Sequence, residues 1–115
     1  MKVIIAGSRT VTDMRHLEAA IARFDHPITA VISGCAKGAD RLGERWAESY
    51  GIPVERYPAD WDTHGKSAGY RRNEQMAEIA DAVIILWDGT SRGSKHMIDI
   101  AKRKGLITLV HYTNV

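Results

Sequence analysis

The 115 residues predict an α/β protein with a three-layer, Rossmann-like fold: a mostly parallel five-stranded sheet with helices on both faces. Three observations lead there. Short, continuous apolar runs, the most apolar being Ala82-Val83-Ile84-Ile85-Leu86-Trp87, read as strands buried on both faces. The segments between them carry apolar residues at helical spacing. The two patterns alternate as β-α-β-α-β-α-β-α-β, the order that right-handed crossovers within one sheet produce.

Each element follows from its residues. Val3-Ile4-Ile5-Ala6 is the first strand and ends in Gly7-Ser8-Arg9. Thr12-Asp13 supply the N-cap of a helix in which Leu17, Ala20, Ile21 and Phe24 recur at i, i+3, i+4 and i+7, and His26-Pro27 stops it. Residues 28–33 form the second strand, running into Gly34-Cys35-Ala36-Lys37-Gly38-Ala39-Asp40. The second helix turns Leu42, Trp46, Ala47 and Tyr50 inward, with Gly51 as its C-terminal stop. A short third strand covers 53–57, and 58–69, with its Gly and Pro residues, reads as a long loop. The third helix spans about 70–80, with Met76, Ile79 and Ala80 inward. Residues 82–87 form the central strand and 88–94 a polar turn. A fourth helix runs to Lys104, Gly105 ends it, and 106–110 is the last strand.

Composition bounds the function. With 44% apolar and 26% charged residues the chain has enough material for a packed core and does not resemble a disordered one. Residues 1–115 read as a single domain, without repeats or linker-like stretches. No apolar run approaches the roughly 18 residues of a bilayer span, and the four apolar residues before Gly7 are too few for a signal peptide. Cys35 is the only cysteine, which excludes an internal disulfide and a Cys-rich zinc site and points to the reducing cytosol, hence a cytoplasmic protein. A net charge of +2 gives no reason to expect a membrane or a nucleic-acid partner.

In open parallel sheets ligands bind beyond the carboxyl ends of the strands, where the strand order reverses. Glycines stand at those ends here: Gly7 after strand one, Gly34 and Gly38 after strand two, Gly89 and Gly93 after strand four. If strands one and four are neighbours, three such turns face one crevice. Turns without side chains expose backbone N–H groups and let a phosphate approach the positive end of the next helix. Ser8, Ser33, Ser91 and Ser94 add hydroxyls; Arg9, Lys37, Arg72 and Arg92 add charge, in the planar fork that suits phosphate where the residue is Arg. No G-x-G-x-x-G follows strand one and Gly38 is not followed by Lys-Ser/Thr, so neither a nicotinamide-dependent dehydrogenase nor a P-loop ATPase is indicated.

Other residues have plainer readings. Asp40 opens the second helix, where a carboxylate caps N–H groups or holds a ribose hydroxyl. Asp60, Asp62 and His64 alternate in a loop and read as solvated rather than as metal ligands, so no metal and no cofactor is expected. Trp61 either stacks a base or pins its loop, and Trp46 and Trp87 fall on apolar core faces. His16, His26 and His111 have no partner spacing. Arg71 and Arg72 open the third helix, where cations oppose the dipole; that cost points to an anionic partner, at least for Arg72.

Five ordered motifs then carry a resemblance. Ile5-Ala6-Gly7-Ser8-Arg9, Ser33-Gly34-Cys35-Ala36-Lys37-Gly38-Ala39-Asp40, Ala59-Asp60-Trp61-Asp62 with Gly65-Lys66, Arg72-Asn73, and Trp87-Asp88-Gly89-Thr90-Ser91-Arg92-Gly93-Ser94 resemble the YspA, or YpsA-related, branch of the SLOG superfamily, over nearly the whole length. The resemblance implies a Rossmann-like domain that binds a nucleotide or a nucleotide derivative as a sensor or sequestering module, and a homo-oligomer. Gly7, Ser8, Arg9, Ser33, Gly34, Lys37, Gly38, Asp40, Arg72, Asn73, Asp88, Arg92, Gly93 and Ser94 are its candidate ligand residues. Cys35 departs from the family, which usually carries Gly there.

The more distant LOG-type phosphoribohydrolases cleave the N-glycosidic bond of nucleoside monophosphates, and their pattern resembles the stretch from Arg72 to Ala82. Their catalytic Glu is missing, since His96 falls at or beside its position. A hydrolase is therefore the alternative reading, with Arg72, Asp99 and Asp88 as catalytic candidates and Asp40 as a further carboxylate. A DNA-processing accessory is the third, because a DNA-uptake protein belongs to the same superfamily.

Overall fold

β1 (Lys2–Gly7) lies at the centre of a five-stranded parallel sheet in a computed structural model that describes residues 1–114. The strand order is β3-β2-β1-β4-β5, with β2 Ala30–Ser33, β3 Val54–Arg56, β4 Ala82–Trp87 and β5 Ile107–Tyr112. From β1 the chain winds outward through β2 to β3, then returns across the sheet and winds the other way through β4 to β5. β1 and β4 are therefore neighbours at the reversal, with Ile4 opposite Val83 and Gly7 opposite Leu86.

Side-chain alternation along the strands builds two cores. Val3 and Ile5 of β1 pack with Ile84 and Leu86 of β4 under α1 (Met14–Phe24) and α2 (Ala39–Ser49). Ile4, Val83 and Ile85 face the opposite way, under α4 (Ala68–Ile79) and α5 (Arg92–Arg103). Both faces are covered, which is why the inner strands β1, β2 and β4 are largely apolar. Asp13 caps α1, its side chain accepting the Arg15 N–H at 3.0 Å. Gly51 and Gly105 stop α2 and α5 as the sequence predicts, donating their N–H groups back to Glu48 and Lys102 at 3.3 and 3.2 Å.

The structure corrects the element boundaries in several places. Residues 58–69 are not a plain loop: they hold a short helix, α3 (Trp61–His64), and a 3₁₀ turn (Gly65–Ser67), and α4 starts at Ala68. Asp60 accounts for α3 by accepting the Thr63 N–H at 3.1 Å. β2 starts only at Ala30, opposite Lys2 where β1 itself begins. β5 runs on to Tyr112, following β4 as far as Trp87. Tyr50, expected inward, is 69% exposed, because it is the residue at which α2 ends. Ile79, also expected inward, is exposed and lies off the line of Asn73, Met76 and Ala80 that faces the sheet. Trp46 and Trp87 are half-buried at the margins of the two cores. Among the described residues no helix is long and apolar enough to cross a membrane.

Candidate ligand site

A cavity of about 450 Å³ opens at the C-terminal ends of β1 and β4, where the strand order reverses. Gly7, Ser8 and Arg9 form its β1 side and Asp88, Gly93 and Ser94 its β4 side, while Arg72 and Asn73 face it from α4 and Asp40 from α2.

The β1 and β4 turns are tied together. The Ser8 N–H donates to the Leu86 carbonyl at 2.9 Å, and the Ser8 hydroxyl accepts the Asp88 N–H at 3.0 Å. Asp88 in turn accepts N–H groups of Thr90 and Ser91 at 2.9 and 2.8 Å, and these bonds hold its carboxyl below the usual carboxylate range. With that carboxylate folded into the turn, the chain enters α5 at Ser91. The Ser94 hydroxyl donates to the Ser91 hydroxyl at 3.1 Å. The N–H groups of Arg92, Gly93 and Ser94, in the first turn of α5, have no acceptor among the described residues, and the space beside the Gly93 Cα is open.

The β2 turn is built differently, since protein acceptors already take several of its donors. Cys35 N–H goes to the Ser33 hydroxyl (3.1 Å), Ala36 N–H to Asp40 Oδ2 (3.1 Å) and Ala39 N–H to the Ser8 carbonyl (3.3 Å). The Ser33 hydroxyl itself donates to buried Glu44 at 2.6 Å, and Glu44 also accepts from Arg56 at 3.1 Å. Gly38, at φ +77°, lies so close under the β1 turn that a Cβ would stand 2.4 Å from the Arg9 carbonyl oxygen. Ser33, Gly34, Lys37 and Gly38 are therefore off the cavity wall, and only Ala36 and Asp40 of this turn reach it. Cys35 takes φ +64°, a left-handed conformation that carries strain for a residue with a side chain and none for glycine. Burial pushes its thiol pKa up.

Arg72 joins the β2 turn to α4. Its Nη1 donates to the Gly34 carbonyl and its Nε to Asn73 Oδ1 at 3.1 Å, while Nη2 has no acceptor among the described residues. Gly34 makes this possible: a Cβ there would lie 2.6 Å from Arg72 Nη1 and 2.9 Å from Asp40 Oδ2. Asp40 is 5% exposed, and its burial raises the carboxyl pKa to about 6 against the opposing pull of the Ala36 N–H and of Arg72. Burial likewise lowers the pKa of Arg72, which Asp40 counters. Asn73 reaches α5 through Nδ2, 3.5 Å from the Gly93 carbonyl and 3.2 Å from His96 Nδ1.

Because α4 begins at Ala68, Arg72 lies in its second turn rather than at its opening. The dipole argument for an anion therefore loses its force, since the effect falls off within the first turn. What turns Arg72 inward is the stripe Gly69, Arg72, Asn73 and Met76, all on the cavity wall at i, i+3, i+4 and i+7. Arg71 points away and donates to the Ser67 hydroxyl at 3.1 Å. At the mouth stand Trp61, half-exposed with its ring against Gly69, Tyr70, also half-exposed, and Lys66. Asp99 lies outside the cavity and pairs with Lys95 at 3.0 Å, and Arg92 is exposed off the wall.

The model of the YspA, cpYpsA-related SLOG family (YAcAr) matches residues 1–64. The chain belongs to this family. It is also 34% identical over 114 residues to the Gene 61 protein of Mycobacterium phage D29, covering 91% of each chain. The fold is similar to that of DNA processing protein A (DprA) from Streptococcus pneumoniae, with a TM-score of 0.76 over 95% of this chain at 20% identity. The chain spans about half of that DprA chain, 49% of its length.

The segment matched to the YAcAr family supplies the β1 and β2 turns and Trp61; α4 and the β4 turn, with Arg72, Asn73, Gly93 and Ser94, lie beyond it. Sequence reasoning did not single out Tyr70 as a site residue and noted Lys66 only within a motif. The missing signal was a helix register that starts at Ala68 instead of Tyr70. His16 and His111, which share no partner spacing in the sequence, meet across α1 and β5, Nδ1 to Nε2, at 3.2 Å.

Proposed function

We propose that this SLOG domain binds a nucleotide or a related phosphoribosyl compound in the cavity beside β1 and β4. One observation carries the reading: the unpartnered Nη2 of Arg72 and the acceptor-free N–H groups of Gly93 and Ser94 belong to one cavity wall, an arrangement suited to phosphate oxygens. Arg9 and Lys66 add positive charge at the same cavity. The exposed rings of Trp61 and Tyr70 give a base apolar faces at its mouth. The domain then holds its ligand as a sensor or sequestering module. A lone, half-buried Cys35 suits a reducing cytosolic compartment, and self-association belongs to the same reading, checked by light scattering.

The test is calorimetric titration with the four common ribonucleoside monophosphates, for the wild type and for Arg72→Ala. Saturable binding to the wild type, weakened at least tenfold in the variant, supports the reading (a charge-assisted hydrogen bond contributes about that much). No heat and no thermal shift with any of the four would refute it. The hydrolytic reading keeps one supporting observation: Asp40, on the cavity wall with a pKa raised to about 6, has the proton affinity of a carboxyl that exchanges protons near neutral pH. Release of free base during the same titrations would establish it.

A further inference from the structure

Asp40 is buried on the wall of a cavity whose other lining carboxylate, Asp88, is folded into its own turn, and whose remaining charged side chains are cations. Its Oδ2 accepts the Ala36 N–H at 3.1 Å. Among the described residues its Oδ1 has no donor and no fully buried side-chain oxygen lacks a partner, so this one is exposed on the cavity that Asp40 lines. Among the described residues no ion pair takes the carboxylate: Arg72 stands next to it across Gly34, with Nη1 on the Gly34 carbonyl, Nε on Asn73 and Nη2 free. A phosphate oxygen placed at Asp40 would meet a like charge in a poorly solvated site. A sugar hydroxyl there would donate to Oδ1 and satisfy it. This part of the wall is thus matched to the neutral neighbour of a phosphate and not to the phosphate itself.

We propose that Asp40 is the residue that selects a sugar hydroxyl: the cavity takes phosphate esters of hydroxyl-bearing sugars, with the phosphate at Arg72 and the start of α5 and a ring hydroxyl donating to Asp40 Oδ1. The proposal rests on the nucleotide reading above. It takes up the ribose-hydroxyl reading that the sequence offers for Asp40 in place of a phosphate at the β2 turn, and it orients the ligand with the sugar toward β2 and the base toward Trp61.

The experiment titrates the best-binding ribonucleoside monophosphate, its 2′-deoxy and 3′-deoxy forms, and inorganic pyrophosphate, against the wild type and Asp40→Asn. On the wild type, at least one deoxy form should bind roughly tenfold or more weakly, the scale of a hydrogen bond to a charged group. Asp40→Asn should lose a similar factor for the ribo form, should lose little more when that hydroxyl is also absent, and should hold pyrophosphate as the wild type does. Equal binding of ribo and both deoxy forms by the wild type would overturn the proposal, with no variant needed. So would an Asp40→Asn protein that loses pyrophosphate and nucleotide alike, since Asp40 would then act only through Arg72. Both outcomes leave nucleotide binding standing, whereas a wild type that binds none of the ligands removes the two readings together.

Discussion

Arg72 on α4 donates a hydrogen bond from Nη1 to the carbonyl of Gly34 at the end of β2, and nothing larger than glycine leaves room for it. The contact fixes the guanidinium at the cavity and sets it beside Asp40. In Gly34→Ala the added methyl meets the far end of a flexible side chain, so Arg72 yields rather than the backbone. The expected loss is about 1–2 kcal/mol of stability together with at least a tenfold loss of nucleotide affinity. Chemical denaturation and calorimetry on the same preparation measure both; full affinity in the variant would show that Arg72 is not held in place by this contact.

Asp40 makes the ligand-free protein sensitive to pH. Lifting a carboxyl from 3.8 to about 6 costs the folded state about 3 kcal/mol once the group ionises. The folded state binds the proton more tightly than the unfolded chain does, so stability from this residue falls as pH rises from 3.8 to about 6. Asn keeps an acceptor for the Ala36 N–H without the charge. Asp40→Asn should therefore melt above the wild type at pH 7, and the difference should vanish below about pH 4. Melting curves across that range give the sign directly.

Much of this architecture was legible in the sequence. The apolar runs of β1 and β4, the Asp13 cap and the Gly51 and Gly105 stops all act through neighbours a few residues away, and the turns at the reversal followed from glycine placement. What escaped depends on distant partners. Ser33 reads as a possible phosphate donor until Glu44 is seen to take its hydroxyl. Asp99 reads as a possible catalytic carboxylate until α5 turns it outward to Lys95. Short α3 has no apolar period to announce it, and without it the start of α4, and so the cavity-facing stripe through Arg72, is set wrongly.

Cys35 offers a gain in stability. A residue with a Cβ in the left-handed region costs about 1–2 kcal/mol, and glycine there gives back part of that gain through its freer unfolded chain. Cys35→Gly should stabilise the protein by up to about 1 kcal/mol, read from denaturant midpoints under reducing conditions. A destabilised variant would mean that the thiol packs more productively than its 3.8 Å contact with the Ser33 carbonyl indicates.

Trp61 separates base from phosphate recognition. Its ring is half-exposed, so Trp61→Ala should change stability by less than about 1 kcal/mol. Loss of a stacking face should weaken nucleoside monophosphates roughly tenfold and leave ribose 5-phosphate unchanged. Equal weakening of both would assign Trp61 to holding α3 in place.

The most direct measurement follows backbone amide and arginine Nε–H resonances of the labelled protein as a ribonucleoside monophosphate is added. The amides of Gly93 and Ser94 and the Nε–H of Arg72 should shift together and saturate, while Gly51 and Gly105, at the far ends of α2 and α5, stay where they are. Saturable binding that leaves Gly93, Ser94 and Arg72 unmoved, or that moves only residues away from the β1–β4 reversal, would contradict it.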